Sequence, residues 1–267
     1  MNLSNSLHFE PHRFQNAATH YRRGRTPYPP KLIRRVAEVM ELQEQHRVLD
    51  LGCGPGQLAI GFAYFSGEVI GIDPEPQMLA IAARAAEGLT PNVTFRLGSS
   101  FELDRALGSF RLVTMGRSFH WMDRAETLRT LDGMIDREGA VVLFRESHVE
   151  VQENEWYQEW RAITERYAKD DPARAQRRDS RWLSHEQVLL SSPFSRLEAV
   201  SFIGRQFNTV DSLIERARSM SSLSRQQIGE QSDHLERDLR TLLAGALSGD
   251  GFVAEVLEWT ALIARRE

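Results

Sequence analysis

The sequence predicts an α/β fold, with a doubly wound and mostly parallel sheet of seven strands, an N-terminal arm and a helical insert. Two observations indicate this fold. Over the first 145 residues, short apolar runs typical of buried strands alternate with segments that have the apolar periodicity of amphipathic helices. Chains with this alternation form parallel sheets, and their ligands lie beyond the carboxyl ends of the strands. After residue 150 the alternation ends and longer helical patterns follow, which indicates an insert.

Length and composition are those of a single soluble globular domain. The chain has 267 residues, of which 41% are hydrophobic and 26% charged, and its formal net charge is −4. No apolar run is long enough to cross a bilayer, and the single cysteine, Cys53, is typical of a reducing compartment. We therefore expect a cytoplasmic protein without membrane association. We divide it into 1–46 (arm and first helix), 47–149 (core), 150–250 (helical insert or cap, with a strand near 197–207) and 251–267 (C-terminal strand).

The core strands are short apolar runs bounded by glycine, proline or charged residues. They are predicted at Arg47–Leu51, Glu68–Asp73, Val93–Leu97, Phe110–Met115 and Ala140–Arg145. The helices between them begin near prolines or after the glycine turn, and most of them stop at glycine. They are predicted at Val36–Gln45, at Gln57–Phe65, from Pro74 to Gly88, and at Ala125–Ile135, with a turn at 136–139 before the fifth strand.

The insert is predicted to be mostly helical. Its segments are a helix at Glu155–Tyr167, a polar link at Ala168–Arg181, a helix capped by Ser184 that ends at Leu190, a strand at Leu197–Phe207, and helices at Val210–Met220 and Ser224–Leu247. The last segment, Gly251–Arg265, is interpreted as a final strand pair or as one long edge strand.

A glycine-rich turn follows the first strand. Gly52, Gly54 and Gly56 stand at alternate positions, immediately before the helix that begins at Gln57. Glycines at a strand-to-helix turn let a ligand approach the main chain closely, and the helix N-terminus offers free N–H groups. The spacing departs from the dinucleotide fingerprint G-x-G-x-x-G, because Gln57 occupies the place of its third glycine. Asp73, at the end of the second strand, is placed to accept hydrogen bonds from two ribose hydroxyls.

The segment Asp50-Leu51-Gly52-Cys53-Gly54-Pro55-Gly56, together with Asp73, resembles the first motif and the ribose-binding acid of class I S-adenosylmethionine (SAM)-dependent methyltransferases. The resemblance implies a Rossmann-like fold, SAM as cofactor and S-adenosylhomocysteine (SAH) as product. No metal site is expected. The cofactor residues that we predict are Tyr21, Arg25, Asp50, Gly52, Cys53, Gly54, Gly56, Asp73, Pro74, Met78, Ser99, Ser100, Phe101, Gly116 and Arg117.

Two further segments suggest a subgroup. Tyr21–Pro29 resembles the Y-x-x-x-R-P-x-Y-P arm of the type 11 methyltransferases that include the trans-aconitate-methyltransferase-like group, and Phe119–Asp123 resembles their H-W-x-D segment. Thr26 replaces the usual proline, which we expect to loosen the arm slightly. The resemblance implies an arm folded over the cleft, with Tyr21 and Arg25 near a carboxylate of SAM or of an acidic substrate. The alternative is a basic surface arm that packs on the sheet.

Acceptor binding is predicted at Tyr28, His120, Trp121 and Arg145. His120 and Glu146 are the candidate catalytic residues, because imidazole and carboxylate groups can take a proton from an acceptor hydroxyl. His120 is equally well explained as a packing residue beside Trp121. His148 is a further candidate for proton handling. A carboxylate acceptor would need no base, since methyl transfer from a sulfonium depends mainly on positioning.

We therefore expect a SAM-dependent methyltransferase that acts on an oxygen or nitrogen of a polar small molecule, including one that bears a carboxylate. Two alternatives stay open: an enzyme that cyclises or eliminates SAM itself, and a non-catalytic SAM-binding regulator. A nicotinamide dehydrogenase is disfavoured by Gln57 and Pro55. Nucleic acid is a weaker hypothesis, because the basic clusters lack interleaved aromatic residues. No sequence feature specifies an oligomeric state.

Overall fold

The computed structural model describes residues 24–169 and 172–267. Its sheet has seven strands in the order β3-β2-β1-β4-β5-β7-β6. Strands β1 to β5 run parallel, whereas β7 is antiparallel to both β5 and β6. The predicted mostly parallel, seven-stranded sheet is confirmed. The strands are β1 Arg47–Leu51, β2 Glu68–Asp73, β3 Val93–Leu97, β4 Phe110–Gly116, β5 Ile135–His148, β6 Arg196–Asn208 and β7 Val253–Arg265.

Helices lie on both faces of the sheet and form a cap over its carboxyl end. They are α1 Pro30–Val39, α2 Gln57–Phe62, α3 Pro76–Ala86, α4 Arg124–Asp132, α5 Glu155–Tyr167, α6 Pro172–Arg178, α7 His185–Leu190, α8 Val210–Arg218, α9 Arg225–Ile228 and α10 Gln231–Gly245. None of the helices within the described ranges has the length and apolarity that a membrane span requires.

The apolar side chains form two clusters on the sheet and one in the cap. Successive side chains of a strand point to opposite faces of the sheet, so that Val48 and Val142 belong to one cluster while Leu49 and Val141 belong to the other. Both faces of the central strands are therefore covered, which explains their continuous apolar runs. The third cluster is formed mainly by α5, α8 and α10, and gives the cap its own core.

The first helix differs from the sequence prediction at both ends. It begins at Pro30 rather than Val36, because the fixed φ of proline and its missing N–H suit the first helical turn. It ends at Val39 rather than Gln45, and Glu41 then adopts the left-handed backbone with φ 49°. This conformation cannot continue a right-handed helix.

α2 and α4 are also shorter than predicted. α2 stops at Phe62, short of the predicted Phe65. α4 stops before Ile135, which already pairs with Phe110 as the first residue of β5. The residues predicted as a turn, 136–139, instead form an irregularity in the β4–β5 pairing, after which the register resumes.

The C-terminal segment is not an edge strand or a strand pair, so that prediction was wrong. β7 is one continuous strand between β5 and β6, and almost all of its residues are buried. In the described part of the chain β6 forms the edge next to β7, where Ile203 and Phe207 are exposed.

The insert also differs from the sequence prediction in two places. The predicted polar link contains α6. The helix predicted at Ser224–Leu247 is divided into α9 and α10 near Gly229, where φ is 54°.

Asn154 joins the cap to the sheet. Its Nδ2 donates to the carbonyl oxygens of Val149 and Val256, each at 2.7 Å, and its Oδ1 accepts from the N–H of Val256 at 2.9 Å. The residue is buried and immediately precedes α5. One amide therefore satisfies three main-chain groups at the junction of β5, α5 and β7.

We expect Asn154→Ala to lower the free energy of unfolding by about 3 kcal/mol, because three buried hydrogen bonds of about 1 kcal/mol each are lost. Urea unfolding measures the change. Gln45→Ala is the control, since within the described residues that exposed amide bonds only Gln43, and a change within about 0.5 kcal/mol is expected there. Equal effects of the two substitutions would contradict the role of Asn154.

Candidate active site

The glycine turn is held against the end of β2 by main-chain hydrogen bonds. The N–H groups of Gly52 and Cys53 donate to the carbonyl oxygen of Ile72 at 2.8 and 3.0 Å. The N–H of Gly54 donates to Asp73 Oδ2 at 2.8 Å. Gly52, Gly54 and Gly56 all have positive φ, a backbone conformation that glycine adopts without strain. The two sequence motifs, the turn and the acid, are thus in direct contact.

Only one of the three glycines faces open space. A Cβ at Gly52 would lie 2.5 Å from Ser118 Cβ, and one at Gly56 would lie 2.9 Å from Phe95 Cζ. A Cβ at Gly54 would meet no atom of the described residues within 4 Å. The close approach that the motif predicts therefore exists at Gly54, where the turn leaves room for a ligand.

Asp50 lies beneath this turn. It is 1% exposed, its Oδ2 accepts from the N–H of Ala59 at 3.0 Å, and its Oδ1 accepts from Thr114 Oγ1 at 2.9 Å. Burial raises the pKa of Asp50 to about 7, although these hydrogen bonds oppose the shift. The side chain ties β1 to α2 and β4, so it supports the turn and has little surface to offer a ligand.

Asp73 organises the neighbouring loop. Besides the bond to Gly54, its Oδ1 accepts from the N–H of Glu75 at 2.9 Å. Burial raises the pKa of Asp73 to about 6. A carboxylate oxygen has two acceptor positions, so each oxygen of Asp73 can accept one further hydrogen bond.

The other predicted cofactor residues differ in burial. Cys53 and Met78 are buried, and burial raises the pKa of the Cys53 thiol well above its ordinary value, which excludes a reactive thiolate. At the end of β3, Ser99 is buried and Phe101 is 44% exposed. Pro74, Ser100, Gly116 and Arg117 are half-buried residues that follow or end β2, β3 and β4.

Arg117 connects three segments at the carboxyl edge. It has φ 56°, an uncommon backbone for arginine, and its Nε donates to Glu146 Oε2 at 2.6 Å. Its Nη2 donates to the carbonyl oxygen of Thr26 at 2.6 Å, and its guanidinium lies 4.5 Å from the centre of the Tyr28 ring. Tyr28 is itself buried, and its hydroxyl donates to the carbonyl oxygen of Phe144 at 3.3 Å. Tyr28 therefore supports the site from within the core, and only 6% of its surface is exposed for the predicted contact with an acceptor.

The arm is held more firmly than the sequence suggested. Thr26 is buried, and its Oγ1 accepts from Arg216 Nη2 at 3.1 Å and from Gln206 Nε2 at 3.2 Å. A Cβ at Gly24 would lie 2.3 Å from the main-chain nitrogen of Arg216, so this part of the arm touches α8 directly. The expectation that threonine loosens the arm was wrong, because proline at this position would offer no hydroxyl. Tyr21 lies outside the described residues.

His120 and Trp121 lie in a short turn after β4, under the basic face of α6. The His120 ring is 4.8 Å from the Trp121 ring and 6.3 Å from the His185 ring, and the Arg177 guanidinium lies 4.3 Å from the centre of Trp121. Burial, followed by the positive charge of Arg177 and by His185, lowers the pKa of His120 well below its ordinary value. The imidazole of His120 is therefore neutral at neutral pH.

Arg145 is directed away from Glu146. Consecutive side chains of a strand point to opposite faces, and Arg145 pairs with Glu186 of α7 at 2.9 Å on the surface. The structure thus separates this predicted acceptor residue from the Arg117–Glu146 pair.

A pocket lies beyond the carboxyl end of β5, between the sheet and the cap. Its polar side is formed by Arg25, Thr26, Glu146, His148 and Arg216. Its apolar side is formed by Tyr157, Trp160, Met220 and Leu257. Arg25, Glu146 and His148 were predicted from sequence as site residues or candidates for proton handling, whereas Arg216 and the apolar side were not. The aromatic pattern of α5 was visible in the sequence, although nothing there indicated that it faced a pocket.

Comparison with known proteins agrees with this geometry. Residues 48–137 match the family model described as a methyltransferase domain. The uncharacterized methyltransferase Rv3342 of Mycobacterium tuberculosis is 31% identical over 115 residues, which cover 43% of this chain and 44% of that protein. The chain therefore spans less than half the length of this curated relative.

Two solved structures resemble the whole fold. The YcgJ protein of Bacillus subtilis has a TM-score of 0.56 at 20% identity, covering 89% of this chain and 99% of that one. A SAM-dependent methyltransferase of Thiobacillus denitrificans, solved with SAH, has a TM-score of 0.54 at 18% identity, covering 96% and 98%. This chain thus has the class I methyltransferase fold. Its residues 48–137 match a methyltransferase domain family, as the resemblance implied; the type 11 subgroup stays a prediction.

The raised pKa of Asp50 predicts an unusual pH dependence of stability. The ordinary pKa of Asp50 is 3.8. At pH values between 3.8 and about 7 the folded protein keeps a proton on Asp50 that the unfolded chain has released, so the contribution of Asp50 to stability falls as pH rises. Asparagine cannot ionise. Asp50→Asn should therefore stabilise the protein more at high pH than at low pH, by up to about 1.4 kcal/mol per pH unit within that window.

Urea unfolding of both proteins at about pH 5 and about pH 8 measures this effect. The stability difference between Asp50→Asn and the parent protein should be larger at the higher pH. The same difference at both pH values would show that Asp50 is ionised throughout.

Proposed function

We propose that the protein is a SAM-dependent methyltransferase that methylates an oxygen or nitrogen of a polar small molecule, including one that bears a carboxylate. The carrying observation is the open space at Gly54, whose N–H contacts Asp73, together with a separate pocket under the cap that is lined in part by Glu146. The likeness to a methyltransferase solved with SAH supports the same cofactor here. The lone Cys53 supports a cytosolic location.

The residues around Gly54 suit the adenosyl and amino-acid parts of SAM. Asp73 has an acceptor position left on each oxygen for the two ribose hydroxyls. The turn Gly52–Gly56 would hold the amino-acid end, with Asp50 acting through the turn. Ser99–Phe101 and Gly116–Arg117, which follow or end β3 and β4, are the further residues that we assign to the cofactor. When bound, SAM supplies a sulfonium methyl group that an acceptor atom displaces in line.

The charges around His120 support an anionic acceptor. Besides Arg177, the charges of Arg25 and Arg124 contribute to the lowered pKa of His120, so several cations share one region at the rim of the cleft. Arginine binds carboxylates with two parallel donors. A pocket enclosed between sheet and cap suits a small molecule better than a nucleic acid strand.

Incubation with SAM, with and without a panel of small hydroxy and amino acids, tests the proposal. Release of SAH that depends on an acceptor, with the methylated product identified by mass spectrometry, is the expected result. SAM breakdown without any acceptor would instead indicate cyclisation or elimination of SAM. Tight SAH binding without turnover on any acceptor would indicate a regulator.

The open space at Gly54 predicts a specific mutant phenotype. Gly54→Ala should weaken SAH binding by at least about tenfold, or about 1.4 kcal/mol, because the new methyl group occupies the ligand's space. Gly88→Ala is the matched control: Gly88 also has a left-handed backbone (φ 70°) and no described atom within 4 Å of an added Cβ, but it lies after α3 and away from the site.

Calorimetric titration with SAH, alongside urea unfolding, separates the two effects of these substitutions. Both variants should lose a similar 1–2 kcal/mol or so of stability, since alanine resists a positive φ. Only Gly54→Ala should lose affinity. Parallel losses of affinity in both variants would remove the support for a ligand at Gly54.

A further inference from the structure

The pocket contains a histidine held by a buried carboxylate. His148, at the end of β5, places Nε2 2.6 Å from Oε1 of Glu255 on β7. The Glu255 side chain has no exposed surface, whereas that of His148 is 14% exposed. Arg216 Nη2 and Asn208 Nδ2 donate to Oε2 of the same carboxylate, each at 2.9 Å. Burial alone would raise the pKa of Glu255, but the hydrogen bonds from His148 and Arg216 lower it below its ordinary value.

This arrangement determines the proton position on His148. An ionised carboxylate only accepts hydrogen bonds, so Nε2 of His148 carries a proton. In the neutral imidazole the lone pair is then on Nδ1. Nδ1 makes no hydrogen bond to the described part of the chain, and the ring borders the pocket. A histidine oriented by a carboxylate, with its second nitrogen open to a pocket, has the geometry of a general base.

Aromatic rings continue from this histidine into the pocket wall. The His148 ring stacks on Tyr157 at an interplanar angle of 13°, and Tyr157 stacks on Trp160 at 18° with ring centres 5.7 Å apart. Met220 and Leu257 complete the apolar side. Aromatic ligands make favourable edge-to-face as well as stacked contacts with such rings. The pocket thus combines a base with a wall suited to a planar apolar ligand.

We propose that this pocket binds a hydroxyaromatic acceptor, with its hydroxyl on Nδ1 of His148 and its ring against the aromatic wall. His148 is then the base, and Glu255 is a positioning residue. The assignment of methyl transfer rests on the proposed function; the binding site itself does not. Phenols are the suited hydroxyl class, because their proton is acidic enough for an imidazole to share or take.

The chemical step balances without a further reactant. The acceptor oxygen forms a bond to the methyl carbon of SAM, the bond from that carbon to sulfur breaks with its electron pair moving to sulfur, and the phenolic proton passes to Nδ1. The products are the aryl methyl ether, SAH and an imidazolium that returns its proton to water. The negative charge of Glu255 stabilises this imidazolium.

His120 is less suited to this role. The cations around it disfavour the protonated imidazole, which is the state that a base must reach. His148 faces a carboxylate instead. The two histidines therefore differ in the charges that surround them, and His148 is the one whose ring contacts a carboxylate.

Binding of 4-nitrophenol, whose hydroxyl ionises near neutrality and whose phenolate is coloured, tests the proposal without turnover. The probe is titrated into the full-length protein, with and without SAH, slightly below the pH at which the free probe ionises. The parent protein should bind it and increase the phenolate absorption. His148→Gln should lower its affinity by at least about tenfold and abolish the increase. Absence of binding, or an undiminished phenolate signal in His148→Gln, overturns the proposal.

Two further variants separate specific from general effects. His234→Gln, on an exposed face of α10, should leave both affinity and absorption unchanged. Glu255→Gln should reduce the phenolate signal more than the affinity, because the imidazolium loses its counter-charge. If Glu255→Gln does not fold, nitrogen-15 NMR of the parent protein decides: the Nε2-protonated tautomer of His148 is expected, and the Nδ1-protonated tautomer contradicts the proposal.

These experiments distinguish failure of the hydroxyaromatic site from failure of the proposed function. Probe binding at His148 without any SAH binding would leave the pocket assignment standing and refute SAM use. SAH binding with no probe binding would refute the hydroxyaromatic site and leave SAM use standing.

Discussion

The buried carboxylate of Glu255 joins the sheet, the cap and the arm at the candidate acceptor pocket. It accepts hydrogen bonds from His148 on β5, from two amides on β6 and from Arg216 on α8. Arg216 in turn donates to Thr26 and to the carbonyl oxygen of Gly24. Because a buried charge that loses its partner is strongly destabilising, these contacts depend on one another. The wall of the pocket is therefore built around one ion pair rather than around apolar packing alone.

The carboxyl groups at the two ends of the cleft have pKa values that are shifted in opposite directions. Asp50 accepts hydrogen bonds from a main-chain N–H and a hydroxyl, and Asp73 accepts from two main-chain N–H groups. Because these neutral donors do not offset the effect of burial, the pKa of each acid rises. Glu255 faces a guanidinium and an imidazole, and its pKa falls. A ligand's positive charge would therefore favour ionisation at the cofactor end. At the proposed acceptor end the protein itself provides the positive charge that keeps Glu255 ionised.

The cofactor half was predictable from sequence because its determinants are local. Strands β1, β2 and β3 have the predicted bounds, and the contact of Gly54 with Asp73 follows from parallel strands that end at one edge. The acceptor half was not predictable in the same way. β7 looks like an edge strand from composition, and its central place is set by pairing with β5 and β6. The partners of Thr26 and His148 are about 180 and 107 positions away along the chain, distances at which a periodic pattern carries no information.

The same difference between local and long-range determinants explains which residues the family model matches. The matched family segment, residues 48–137, contains the glycine turn, Asp73 and the His120 turn, but ends before His148, Arg216 and Glu255. In the proposed assignment the matched segment holds the methyl donor, whereas the pocket is lined by residues outside that segment. Acceptor choice would then depend on how α5, α8 and β7 meet in this chain. A relative that shares the turn but lacks a carboxylate at the start of β7 would have no means of orienting a histidine at the end of β5, and its chemistry at the acceptor would differ accordingly.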